Sequence, residues 1–374
     1  MRGIFFFLLI PVFSFSQTYD VLFIGNSYTY YNDLPEMISS IANDFGDSIN
    51  HDQSTPGGTS LYAHSQNQAT INKINQQNWD YVVLQDQSQR PSLSPSYVAA
   101  SVYPYASQLV SLIDSNYICS EPIFYMTWGR KYGDQTNCNT YPPVCTFLGM
   151  QERLRESYLY MGVNNEATVS PVGMSFKNSI ALDSTIDLYT SDYSHPSIYG
   201  SYLAACTFYS TIFKKSSVGC TYKPSAISQS EALFLQQVAS STVLDSMSIW
   251  NIFQAKFLYN INGKTIEFFN ESSNYQNCSW DFGDGNQSTD ISPIHTYQQN
   301  GLYDVVLTIQ ANSGCLTESY SVQFNINSSS FQEQSVKKKI IKSFNVLGNQ
   351  IDDNFKGVVI ELDSKGGVCK KIKF

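Results

Sequence analysis

Apolar and polar positions change rhythm partway along the 374-residue chain. Up to about residue 249, short continuous apolar runs alternate with longer stretches of helical spacing. Residues 21–24 (VLFI), 81–84 (YVVL), 123–128 (IFYMTW) and 168–172 read as buried strands. Residues 34–45, 69–77, 98–113, 148–161, 195–213 and 231–244 carry helical spacing. This alternation predicts an α/β domain with a parallel sheet covered on both faces. After about residue 250 the runs shorten and alternate with period two, as at 265–269 and 303–309, between Gly, Asn and Asp. That pattern predicts a small all-β sandwich. Residues 328–335 are Ser/Gln-rich and read as a linker, and 336–374 hold two further β-like runs and a basic end.

The first strand ends in Gly25-Asn26-Ser27, with a helical run close behind. Gly25 is expected to make the turn with a positive φ. The exit of a strand in an open α/β sheet is where ligands bind. Ser27 there is either a helix cap or a nucleophile, and the difference is whether a base reaches it.

Charge narrows the partners. The chain has 22 basic and 31 acidic residues, a net charge of −9. That excludes nucleic acid or an acidic membrane surface as the main partner. Only 14% of residues are charged, so the surface leans on uncharged polar groups, as suits an extracellular protein. Residues 1–16 read as a signal peptide: Arg2, an apolar run over 4–13, then Ser14 and Ser16 before Gln17. No Cys near that cut provides for a lipid anchor, and no later stretch is long and apolar enough for a stable membrane span. Export allows the eight cysteines to oxidise. Cys138 and Cys145 flank a short Pro-containing loop and are expected to bridge; Cys278 and Cys315, in the later domain, are the other expected pair. No Cys-x-x-Cys or His/Cys cluster points to a metal.

Of four histidines, His195 stands in Ser191-Asp192-Tyr193-Ser194-His195-Pro196. Pro196 suits the first turn of a helix and keeps His195 extended. One loop can then carry a base and the carboxylate that orients it, although both residues could equally cap a helix. The Gly-rich residues 55–61 (TPGGTSL) offer a bare N–H to a developing oxyanion, and strand 81–84 runs into Gln85-Asp86-Gln87-Ser88, which offers a side-chain amide.

In order, GNS (25–27), GGTS (57–60), VLQDQS (83–88) and DYSHP (192–196) resemble the SGNH (GDSL-like) hydrolase family over roughly residues 18–249. The resemblance implies a three-layer α/β/α, flavodoxin-like fold and a Ser-His-Asp esterase. Ser27 would be the nucleophile, His195 the base and Asp192 its orienting carboxylate. The oxyanion would meet the Ser27 N–H, the Gly58 N–H and the Gln87 amide. The family has Asn in a G-x-N-D pattern where this chain has Gln87, one methylene longer. It more often has Asp where Asn26 stands, a position that transfers no proton.

Residues 280–285 (WDFGDG), His295-Thr296-Tyr297 and 301–305 (GLYDV) resemble a PKD domain, a non-catalytic Ig-like sandwich that acts as a spacer or as a contact to polysaccharide or protein. His295 is then structural, and Asp281 and Asp284 serve turns, with calcium as the alternative. Residues 336–374 are similar to a type IX secretion C-terminal sorting domain, which would engage the secretion machinery. The expected divisions are 1–16 signal peptide, 17–250 hydrolase, 253–327 PKD, 328–335 linker and 336–374 sorting domain. The expected function is a secreted or cell-surface serine esterase acting through an acyl-Ser27 intermediate, without cofactor or metal. Its expected substrate is an O-acetyl or short acyl group on polysaccharide, or another small ester. The rivals are a glycan-binding surface protein with this fold and little turnover, and a lipase or thioesterase with a broad apolar crevice.

Overall fold

Strand β1 (Thr18–Ile24) lies inside a parallel sheet, between β2 (Ser48–Ser54) and β3 (Tyr81–Leu84). Strands β4 (Glu121–Tyr125) and β5 (Thr168–Ser170) complete the order β2-β1-β3-β4-β5. The chain is seen here as a computed structural model that describes residues 16–311 and 314–327. Beyond these it describes the strands Ile340–Asn345, Gly357–Asp363 and Val368–Lys373. The signal peptide, apart from Ser16, and the linker expected at 328–335 lie outside the described residues.

Successive side chains on a strand point to opposite faces, so a strand covered on both sides is apolar at every position. Val21 and Phe23 join one buried cluster, whereas Leu22 and Ile24 join the other. Helices α2 (Leu34–Asp44), α8 (Val172–Leu182), α9 (Ile198–Phe213) and α10 (Gln229–Leu244) cover the first face. Helices α3 (Leu61–Gln66), α4 (Gln68–Ile74), α5 (Pro95–Ser101), α6 (Tyr103–Asn116) and α7 (Phe147–Asn164) cover the second. Helix α9 is buried from Gly200 to Phe213, as a helix apolar all round must be. The short helix α1 (Ser27–Tyr30) follows β1 directly. The three-layer α/β/α fold expected from the sequence is thus present.

Strand β2 was not legible in the pattern, because SINHDQS is polar and sits at the sheet edge. The helical spacing over 98–113 resolves into two helices, since Pro104 lacks the N–H that would continue the first. Strand β5 ends at Ser170, so the run read as a strand to 172 closes on the first residue of α8, a helix that the apolar pattern does not predict.

The second unit is a sandwich of two antiparallel sheets. One is β10 (Ile294–Thr296), β7 (Thr265–Asn270), β6 (Phe257–Asn262); the other is β12 (Leu316–Ile326), β11 (Gly301–Ala311), β8 (Asn277–Asp281), β9 (Gln287–Ser288). Trp280 and Phe282 enter its core with Phe268, Tyr297 and Leu307. The three strands beyond residue 339 form an antiparallel sheet of their own.

The disulfides correct one expectation. Cys138 is bonded to Cys145, but Cys315 is bonded to Cys119 and not to Cys278. Cys119 precedes β4 and Cys315 precedes β12, so this bond joins the two units, and Cys278 keeps its thiol. Sequence proximity within one domain favoured Cys278; the packing of the sandwich against the α/β unit decides otherwise. Lys214 and Glu318, 2.5 Å apart, bridge the same junction.

Candidate active site

The turn that carries Ser27 is built by its neighbours. Asn26 caps α1, its side chain accepting from Tyr28 N–H at 3.2 Å, so the cap is Asn26 and Ser27 takes the first helical position. Gly25 does not have the positive φ expected of it. It is required for space: a Cβ there would lie 2.5 Å from Thr29 Oγ1 and 2.6 Å from Gln85 Oε1. Buried Gln85 accepts from Asn26 N–H (2.9 Å) and Thr29 Oγ1 (3.0 Å) and donates to Asn26 Oδ1 (3.0 Å). From below, His64 Nε2–H donates to Gly25 O at 2.8 Å, while its Nδ1 accepts from Thr70 Oγ1 at 2.9 Å. That tautomer follows because a carbonyl can only accept. Burial lowers the His64 pKa, and the bond to Gly25 opposes this only in part.

The loop that carries His195 folds around one carboxylate. Asp192 Oδ1 accepts from Thr190 Oγ1 (2.8 Å), Ser194 N–H (2.9 Å) and His195 N–H (2.9 Å). Tyr193, at φ 61°, makes the reversal. Asp192 Oδ2 bonds His195 Nδ1, and His195 Nε2 lies 2.9 Å from Ser27 Oγ. A carboxylate cannot donate, so Nδ1 carries the proton and Nε2 is free to accept from the serine hydroxyl. Burial raises the Asp192 pKa, but the bonds from the His195 ring, Ser194, His195 N–H and Thr190 outweigh it and hold the carboxyl well below its usual range. The structure thus brings together the three residues read from the sequence as nucleophile, base and orienting acid.

Residues not singled out as site residues fix this loop. Tyr28 Oη and Ser194 Oγ are 2.6 Å apart, and Trp128 Nε1 donates to Ser194 O at 3.0 Å. Tyr28, Trp128 and Phe176 stack in series, with centroids at 4.6 and 4.1 Å. Only tertiary contact reveals such roles, because each aromatic also fits an ordinary core.

The oxyanion candidates are placed less uniformly. Gly58, exposed at φ 70°, turns the Gly-rich loop, and its N–H has no partner among the described residues. Asn26 Nδ2 donates to Thr59 O (2.8 Å), tying that loop to the turn that carries Ser27. Gln87 Nε2 instead donates to Gln89 Oε1 at 3.1 Å, and its Oε1 accepts from Gln89 N–H at 2.9 Å. Buried Asp86 organises both segments, Oδ1 accepting from Leu61 N–H (3.0 Å) and Gln87 N–H (2.7 Å). Burial raises the Asp86 carboxyl to about 6, even with Arg90 and these two bonds opposing it.

In the sandwich, Asp281 Oδ1 and Asp284 Oδ1 accept from Gly283 and Asn286 N–H, which is turn chemistry. His295, half-buried on β10, lies flat on Phe282 (4.1 Å, 2°) and bonds Asp284, far along the chain from Ser27. Among the described residues, no group of three or more His, Cys, Asp and Glu is arranged to hold a metal ion.

Residues 262–326 match the family model of the PKD domain. A 35-residue stretch is 46% identical to the collagenase ColQ1 of Bacillus cereus (strain Q1), covering 9% of this chain and 4% of that protein. Among solved structures, the chain is similar to a DUF4886 family protein from Bacteroides uniformis, 19% identical, covering 61% of this chain and 95% of that one, with a TM-score of 0.53. A candidate SGNH hydrolase from Slackia heliotrinireducens is 23% identical over 52% of this chain and 98% of its own, with a TM-score of 0.42. At these identities the likeness is one of fold alone, an α/β unit with a parallel sheet, and the unit that follows it is the one the PKD family model matches.

Proposed function

We propose that the chain is a secreted serine esterase that hydrolyses carboxylic esters through an acyl-Ser27 intermediate. The observation that carries this is the unbroken relay from Ser27 Oγ through His195 to Asp192 at the exit of β1. Ser27 Oγ attacks the ester carbonyl as its proton passes to His195 Nε2, and Asp192 stabilises the imidazolium. The oxyanion is received by the Ser27 and Gly58 N–H groups, with Gln87 as a third donor once its amide releases Gln89. His195 returns the proton to the leaving alcohol. Water then attacks the acyl carbonyl, giving its proton to Nε2, and Ser27 is restored with release of the acid.

The side chains of His195 and Asp192 are 26% and 46% exposed, so the relay opens at the surface. An open site suits an acyl group carried on a polymer, and short acyl groups on polysaccharide are the proposed substrate. The type IX sorting role of residues 336–374 belongs to the same proposal: it would carry the enzyme to the cell exterior.

The engagement of Gln87 with Gln89 favours a second reading, a glycan-binding protein with weak turnover. One experiment separates the two. The whole chain should hydrolyse p-nitrophenyl acetate with a burst of nitrophenol, and Ser27→Ala and His195→Ala should fall to background. Gln87→Ala should lose on the order of 10²–10³ in kcat. A wild type no faster than Ser27→Ala sinks the esterase reading. Full activity in Gln87→Ala removes that side chain from the oxyanion site.

A further inference from the structure

The turn that carries Ser27 is followed by an unusual stretch of backbone. Asn32 (φ 53°, ψ 24°) and Asp33 (φ 52°, ψ 56°) lie consecutively in the left-handed region. Side chains with a Cβ are disfavoured there, and two in succession persist only where their surroundings hold them. This reversal carries Tyr31 and Asn32 onto the base loop. The Tyr31 ring lies over the His195 imidazole, with centroids 4.5 Å apart and planes 22° from parallel. Asn32 Nδ2 donates to Pro196 O (3.3 Å) and Ser201 Oγ (2.8 Å), just past His195 and in the first turns of α9.

The imidazole needs such a contact. Asp192 holds Nδ1 and Ser27 holds Nε2, both in the plane of the ring. Neither bond resists rocking about the line that joins them. A second ring lying on the face does, and Tyr28 adds an edge-on contact at 5.4 Å and 68°. The contact also strengthens when it is needed. As Nε2 takes the serine proton the ring becomes a cation, which the π face of Tyr31 attracts. An interaction stronger in the transition state than before it raises kcat.

We infer that Tyr31 and Asn32 are positioning residues that clamp the His195 loop to the nucleophile turn, a role that rests on the esterase reading. Tyr31 sets the tilt of the imidazole, and Asn32 sets the height of the loop.

The test uses the whole chain and p-nitrophenyl acetate. Tyr31→Ala should lower kcat on the order of tenfold with KM within about twofold, and Tyr31→Phe, which keeps the ring, should restore it. Asn32→Gly keeps the left-handed backbone but removes both hydrogen bonds, and should give a similar fall. The double variant should be no slower than the slower single, because both act on one loop. Proton NMR supplies a readout independent of turnover: the low-field His195 Nδ1–H signal, assigned by its loss in His195→Ala, should broaden in Tyr31→Ala and stay sharp in Tyr31→Phe. Full kcat in Tyr31→Ala, an equal loss in Tyr31→Phe, or additive losses in the double variant overturn the clamp. If the wild type shows no turnover, the esterase reading falls, and an unchanged low-field signal in Tyr31→Ala still overturns the clamp by itself.

Discussion

Asp86 shows how one buried carboxyl can serve the site and weaken the protein. Its Oδ1 accepts two backbone N–H groups, while Oδ2 has no hydrogen-bond partner among the described residues. Burial, and then the charge of Asp86, push the Tyr158 phenol upward, so the two groups lie within electrostatic reach. A raised carboxyl pKa means that the folded state binds the proton more tightly than the unfolded one. Stability therefore falls as pH rises from about 3.8 to about 6, and the penalty is complete above that. Asp86→Asn keeps the acceptor for Leu61 and Gln87 and removes the charge. Urea unfolding should show it more stable by on the order of 1–3 kcal/mol near pH 8, with the gain vanishing near pH 4. A loss at the higher pH, or the same gain at both, would show that charge is not the cause. The types and spacing of Ser27, Asp192 and His195 were legible because they lie in short local motifs. The roles of Gln85, His64 and Tyr28 were not, because the groups they bond, on Asn26, Gly25 and Ser194, lie 59, 39 and 166 residues away in the chain.

Among the elements, the strand-to-helix turn is the most constrained. Gly25 faces Thr29 and Gln85, which hydrogen-bond each other and so cannot part freely, and its carbonyl is held by His64. Gly25→Ala should cost about 1–3 kcal/mol by overpacking and at least tenfold in esterase kcat, checked by unfolding and by p-nitrophenyl acetate kinetics. A variant with unaltered activity would show that the turn yields to a methyl group at no cost to the site. The glycine was conspicuous in the sequence, but the reason for it was misread: the space left by Gln85 matters, not the backbone angle. Elements were legible where burial made them apolar at every position, as in the last four residues of β1 and in β3. Strand β2 was hidden because an edge strand can stay polar.

Across the whole molecule, the sandwich meets the α/β unit at the end of the sheet where the strands begin, whereas Ser27 lies where β1 ends. The PKD domain is thus fastened behind the site and leaves the relay open. Cys119 and Cys315 are 196 residues apart in the chain, so their bond removes a large loop from the unfolded state. Replacing both with Ser should lower unfolding free energy by about 2–5 kcal/mol and separate the thermal transitions of the two units, while p-nitrophenyl acetate turnover stays within about twofold. Unchanged unfolding would show that the ion pair and packing suffice to join them. Among the described residues no helix is long and apolar enough to cross a membrane.

The layer architecture, the break between an α/β unit and a sandwich, and the short motifs that carry Ser27, Asp192 and His195 are all legible in the order of residues alone. These follow from local rules: apolar periodicity, turn residues and spacing within a few positions. The folded chain alone settles that Cys315 pairs with Cys119, that Gln87 turns toward Gln89, and that Tyr31 and Asn32 reach the His195 loop. Those facts depend on which distant segments the sheet and the left-handed turn bring together, and no periodicity records such contacts.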